Sequence, residues 1–133
     1  MEMKLELVPV LVADIDRAKR FYTQQVGFAL DHDVRPNPAV RMVQLTPSGS
    51  ACSIVLSEGL AGLAMPAGSL RGLHLVVADI GQSRAELAGR GVQMGDIQDL
   101  GGDMKYVGFQ DPDGNMWTLQ ELPRKQCAGT TYN

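Results

Sequence analysis

Apolar residues crowd the run from Leu5 to Val12, and the run predicts a first strand. Asp14 follows where a helix N-cap belongs, offering its carboxylate to the free amides of the next turn. Ile15, Ala18, Phe21, Tyr22 and Val26 then recur at helical spacing, and Gly27 is a fitting stop. Phe28 to Val34 predicts a second strand, which Arg35-Pro36-Asn37-Pro38 should break. Val40 to Thr46 and Ala51 to Ser57, joined across Pro47-Ser48-Gly49-Ser50, predict a hairpin.

Then the pattern restarts. Leu73 to Val77 predicts a strand, and Asp79 is again at an N-cap. Ile80, Arg84, Leu87 and Ala88 give a helical stripe, with Gly91 beyond it. Val92 to Leu100 holds a weak strand. Met104 to Gln110 and Met116 to Leu122 flank the turn Asp111-Pro112-Asp113-Gly114-Asn115, where Pro presets φ and Asp111 can bond backbone beyond it. Leu11-Val12-Ala13-Asp14-Ile15 and Val76-Val77-Ala78-Asp79-Ile80 are nearly the same words. A duplicated unit follows, each half reading strand, helix, strand, strand, strand. The expected fold is α+β: one domain over 1–133, with βαβββ modules at 4–57 and 70–122, a crossing loop at 58–69 and a tail at 123–133. A helix covers one face of each sheet, and the other face must find cover or stay wet. Curved sheets set side by side in a barrel-like mixed array would enclose a concave pocket, a common setting for ligands.

Composition narrows the partners. The 133 residues suffice for a real core, and a formal net charge of −3 with mixed signs argues against a general nucleic-acid surface. No apolar run is long enough to span a bilayer, and the N-terminal stretch lacks a secretory shape, so cytoplasm is the expected compartment. Cys52 and Cys127 make neither a zinc motif nor a disulfide framework, and Cys52 is expected as a small core residue. His32 between Asp31 and Asp33 looks like a metal cluster, but neighbours on a strand point to opposite faces; a solvated strand end is expected.

The order of these motifs resembles the vicinal oxygen chelate superfamily, which includes glyoxalase I, bleomycin-resistance proteins, extradiol dioxygenases and methylmalonyl-CoA epimerase. The first half carries it in Leu11 to Ala18, Phe21-Tyr22 and Val26-Gly27-Phe28. The second half carries it in Gly72 to Ile80, Gly91-Val92 and Asp111 to Asn115 with Leu119 and Glu121. The resemblance implies four sheet positions at which catalytic relatives hold a divalent metal with His or Glu. Here they fall on Leu7, near Val55, on Gly72 and on Thr118. Three of these side chains cannot ligate a divalent ion, and a lone Thr hydroxyl is a poor ligand. The resemblance therefore implies a member with no metal and no cofactor. It also implies a homodimer, its modules paired within a chain or exchanged between chains.

Strand alternation sorts the expected pocket lining. Leu7 and Leu11 should face the pocket from the first strand, Met42 and Gln44 from the third, and Ser53 and Val55 from the fourth. Gly72 and His74, with Tyr106, Gln110, Met116, Thr118 and Gln120, should do so in the second half. Trp117 should pack in the core. The set is mostly apolar, holds a few neutral polar groups and includes no carboxylate, which suits an uncharged or weakly polar organic ligand. Two candidates for catalysis stand out: His74 as general base or hydrogen-bonding anchor, and Tyr106 as its acid partner. The main functional expectation is metal-independent binding of a small organic molecule. The alternatives are a cofactor-free isomerase, lyase or cyclase using His74, and a metal-dependent glyoxalase-like lyase whose ligands stand elsewhere.

Overall fold

Repeated aspartates start both helices. In the computed structural model, which describes residues 1–60 and 65–122, the Arg17 amide donates to Asp14 Oδ1 at 3.1 Å and the Gln82 amide to Asp79 Oδ1 at 3.0 Å. Each aspartate sits in extended backbone before its helix, so its carboxylate meets amides that have no partner inside the helix. The tail at 123–133 and part of the crossing loop, 61–64, lie outside the described residues.

The elements run β1 (Leu7–Pro9), α1 (Ile15–Arg20), β2 (Ala29–Asn37), β3 (Val40–Thr46), β4 (Ser53–Glu58), β5 (Leu73–Val76), α2 (Ile80–Gly89), β6 (Gln98–Asp99), β7 (Lys105–Gln110) and β8 (Met116–Glu121). They form two four-stranded sheets, ordered β1-β4-β3-β2 and β5-β8-β7-β6. In each, the first strand of the module lies parallel to the last, and the remaining pairs are antiparallel. The fold is α+β with a duplicated βαβββ module, as the repeat predicts. By backbone proximity the chain divides into a first unit, 1–70 with Asp111–Asn115, and a second unit, 71–110 with 116–133. The late turn therefore groups with the first unit, although its flanking strands belong to the second.

In the first unit, α1 continues as a π-helical stretch, Phe21–Val26, which ends on left-handed Gly27. The wider turn buries two consecutive rings, Phe21 and Tyr22, and Tyr22 stacks on Phe28 at 5.5 Å. Val43 and Leu45 of β3, with Ile54 and Leu56 of β4, fill the helix-covered face. That face also carries an ion cluster. Asp33 accepts from Lys19 Nζ at 2.8 Å and from Arg41 Nη2 at 2.7 Å, and Arg41 reaches Asp16 at 2.9 Å. Hydrogen bonds from Arg41 and then Lys19 hold the Asp33 carboxyl well below the usual carboxylate range. Arg41 is pushed up in turn, first by Asp33 and then by Asp16.

The turn Asp111–Asn115 is tied down by a buried polar network. The Asp111 carboxylate accepts from the amides of Asp113 and Asn115, both at 2.9 Å, and from Asn115 Nδ2 and the Tyr22 hydroxyl, both at 2.8 Å. The Asn115 side chain donates to the Leu11 carbonyl and accepts from the Leu70 amide. Arg17 reaches the Pro112 carbonyl, and the Ala13 amide reaches Asp113 Oδ1.

In the second unit, Val107, Phe109, Trp117 and Leu119 are buried on the helix-covered face, and the Phe109 and Trp117 rings stack nearly parallel. Glu121 Oε1 accepts from the Ile80 amide, so β8 helps to cap α2.

Several expectations are corrected. β1 spans only Leu7–Pro9, because beyond it the Leu11 carbonyl turns to Gly68 and Asn115 instead of a neighbouring strand. β2 runs on through Arg35 and Pro36 to Asn37; as an edge strand it tolerates a proline, and its pairing slips between Val34 and Asn37. Only Gln98–Asp99 of the weak strand Val92–Leu100 is ladder, with an isolated bridge at Met94. Ala88 is exposed, so Ile80 and Leu87 alone bury that stripe. Cys52 is half-buried just before β4 and is not a core residue. The strand end at 31–33 is not simply solvated: a register shift beside Asp31 lets it reach Thr46 and Gln44, while Asp33 joins the ion cluster.

Candidate functional site

The face of each sheet opposite its helix holds the candidate residues. In the second unit the register places His74 beside Thr118, Tyr106 beside Gln120, Gly108 beside Thr118, and Gln110 beside Met116. Paired residues share a face, so these side chains form one continuous surface, with Trp117, Leu119, Val107 and Phe109 on the other side. His74, Gln110 and Met116 are exposed; Tyr106, Thr118 and Gln120 are half-buried. His74 Nδ1 makes a short contact with Gln120 Oε1. An amide oxygen only accepts, so Nδ1 is the donor in this contact, and in the neutral ring Nε2 is then the acceptor. The Tyr106 ring lies edge-on to the imidazole with centroids 6.1 Å apart. Gly72, exposed and with positive φ, precedes β5 and lends backbone only.

The same surface contains a hollow of about 240 Å³, lined by Gly95, Asp96, Gln98, Tyr106, Val107, Gly108 and Thr118. Asp96 corrects the expectation of a lining without carboxylates. Four residue steps from Met94 to Gln98 face three from Phe109 to Tyr106, so the edge carries one extra residue. Such a bulge disrupts the ladder and re-aims a side chain. A sequence offers no register for so short an edge, and alternation could not have found Asp96.

In the first unit, Leu7, Met42, Gln44, Ser53 and Val55 share the face opposite α1. Met42 and Gln44 are half-buried, whereas Ser53 and Val55 are 5% and 3% exposed. The Ser53 hydroxyl is held by Thr46 Oγ1 at 2.6 Å and Gln44 Nε2 at 3.3 Å. Asp31 accepts from the same Thr46 hydroxyl, adding a carboxylate to this face that alternation missed. Leu11 lies past the end of β1, and its carbonyl belongs to the turn network.

The metal positions implied by the family resemblance fit no ion. Leu7, Val55 and Gly72 bear no donor atom and Thr118 bears one hydroxyl. Among the described residues, no three His, Cys, Asp or Glu side chains are grouped so as to hold a metal. No helix among them is long and apolar enough to cross a membrane.

Residues 4–119 match the sequence family described as the Glyoxalase/Bleomycin resistance protein/Dioxygenase superfamily. This chain belongs to that superfamily. Among solved members, its structure is similar to TnmS3, an antibiotic binding protein from Streptomyces sp. CB03234, at 36% identity and a TM-score of 0.78, covering 92% of this chain and 98% of that one. A glyoxalase/bleomycin resistance protein from the same Streptomyces is 37% identical with a TM-score of 0.74, covering 87% and 98% of the two chains. The uncharacterized protein YetH of Bacillus subtilis (strain 168) is 26% identical over 128 residues, which is 91% of this chain and all of YetH.

Proposed function

We propose that this superfamily member binds a small, apolar or weakly polar organic molecule without a metal ion, on the sheet faces opposite its helices. The observation that carries the reading is the chemistry at the four implied metal positions, where Leu7, Val55, Gly72 and Thr118 stand. The similarity to TnmS3, an antibiotic binding protein, over nearly the whole chain supports the binding of a small molecule. Exposed Met116 and Val76 beside the neutral polar groups of Tyr106, Thr118 and Gln120 are the mixture that holds and orients an organic ligand. In this reading the first sheet offers a face of its own, with Leu7, Met42 and Gln44, and the protein is a homodimer.

A thermal-shift screen over hydrophobic antibiotics and small carbonyl compounds tests it, because a molecule that binds only the folded chain raises the apparent melting temperature. At a hundredfold excess over Kd the gain is about 2.7 kcal/mol. Elemental analysis of the purified protein runs beside it. Stoichiometric nickel, zinc, iron or manganese would overturn metal independence and favour the glyoxalase-like lyase.

One observation favours a second reading, a cofactor-free isomerase, lyase or cyclase. With Nδ1 on Gln120, the neutral His74 ring presents Nε2 as a proton acceptor, and Tyr106 stands beside it to steady a developing oxyanion.

A further inference from the structure

Four polar groups around the hollow of the second unit are uncommitted. Among the described residues, the Asp96 carboxylate, the Gln98 amide and the Tyr106 and Thr118 hydroxyls make no hydrogen bond or ion pair. Several polar groups elsewhere on these faces are spent on one another: Gln44 and Thr46 on Ser53 and Asp31, and His74 on Gln120.

The floor of the hollow is glycine by choice of space and not of backbone. Neither Gly95 nor Gly108 has a positive φ. A Cβ on Gly108 would meet nothing nearer than the Trp117 carbonyl at 3.6 Å, and one on Gly95 nothing nearer than the Gly108 carbonyl at 3.5 Å, both ordinary contacts. A side chain at either position would be tolerated by the fold; at Gly108 it would stand in the hollow. From α2, Arg84 Nε donates to the Gly95 carbonyl at 2.7 Å and the Gly95 amide donates to the Gly108 carbonyl at 2.9 Å, which fixes the corner that carries Asp96.

We infer that Asp96 determines specificity: the hollow takes an aromatic ring on its glycine floor and selects ligands that carry a protonated amine beside the ring. The inference rests on the proposed ligand-binding face and narrows its ligand from a weakly polar molecule to one with a single ammonium on an apolar ring. The hollow of about 240 Å³ has room for one or two fused rings. A carboxylate without a partner pairs with an ammonium by a charge-assisted hydrogen bond, and the neutral amide and hydroxyls around it offer no competing cation. Asp96 is exposed, which moderates the effect; an exposed ion pair changes affinity by about fivefold.

The test uses tryptamine and N-acetyltryptamine, which share a ring system and differ in charge, with Kd values read by ligand-observed NMR on the full chain. Wild-type protein is expected to prefer tryptamine by about fivefold. Asp96→Asn should remove the preference while leaving N-acetyltryptamine unaffected, and Gly108→Leu should abolish binding of both. Because Asp96 is exposed, its variant decides the matter even if Gly108→Leu does not fold; Gly108→Ala then supplies the graded loss. Equal binding of the two probes, a preference that survives Asp96→Asn, or no binding of either overturns the inference. In that event, stabilisation by any hydrophobic antibiotic in the thermal-shift screen leaves the broader binding function standing. A silent screen removes both.

Discussion

Replacing Asp111 by alanine should be among the most damaging single substitutions in the first unit. Its carboxylate is 5% exposed and accepts four donors. Three of them sit on Tyr22 and Asn115, which are both 0% exposed, so water cannot take the lost place without opening the packing. A hydrogen bond to a charged acceptor is worth roughly 1.5–3 kcal/mol, and a buried donor left alone costs roughly 1–3 kcal/mol. The cost of having buried the carboxylate is recovered, and the Asp113 amide, at a half-buried residue, can rehydrate. The expected net loss is about 3–5 kcal/mol, a large part of a total of roughly 5–15 kcal/mol. Tyr22→Phe removes one donor and leaves the charge with three partners, so it should cost about 1–2 kcal/mol. In a double-mutant cycle with Asp111→Asn the two should couple by on the order of 1 kcal/mol. Urea unfolding followed by far-UV circular dichroism measures these losses, and Trp117 fluorescence reports whether the second unit unfolds in the same transition. A loss below about 1 kcal/mol for Asp111→Ala would refute the account of the turn as a charged, desolvated staple.

Further outcomes are expected. If the chain only binds, His74→Ala should weaken a ligand found in the screen by about 1 kcal/mol, whereas a catalytic base would lose on the order of a hundredfold in turnover; kinetics and calorimetry on the one variant separate the two. Because the Asp33 pKa is lower in the folded state than its ordinary value of 3.8, its contribution to stability is complete above that value and is lost as pH falls through the folded-state pKa. Asp33→Asn should therefore lower the melting temperature at neutral pH and flatten its fall on acidification below about pH 4. Gly59→Ala should cost about 2–4 kcal/mol, since its φ is +80° and the new Cβ would lie 2.0 Å from the Ala39 carbonyl oxygen. Gly49→Ala, at φ +83° with no atom within 4 Å, should cost only about 1–2 kcal/mol by thermal denaturation.

The sequence by itself determined the duplicated module, both helix starts and the face to which the residues of β5, β7 and β8 turn. Those features are local: a cap needs an aspartate one step before a helix, and a strand has period two, so Trp117 and Thr118 must part company. It also determined the chemistry of the implied metal positions, because Leu7, Val55 and Gly72 lack donors in any fold. Tertiary structure alone decided three things. It put the turn Asp111–Asn115 with the first unit, through bonds from Tyr22, Leu11 and Leu70 that no local pattern announces. It placed Asp96 in the hollow and Asp31 beside Thr46, each through a register slip on an edge strand. It buried Ser53 and Val55 on the face where alternation put them. The physical reason is common to all three: hydrogen bonds and burial between residues far apart in the chain depend on how whole elements pack, and alternation along one strand carries no information about its neighbour.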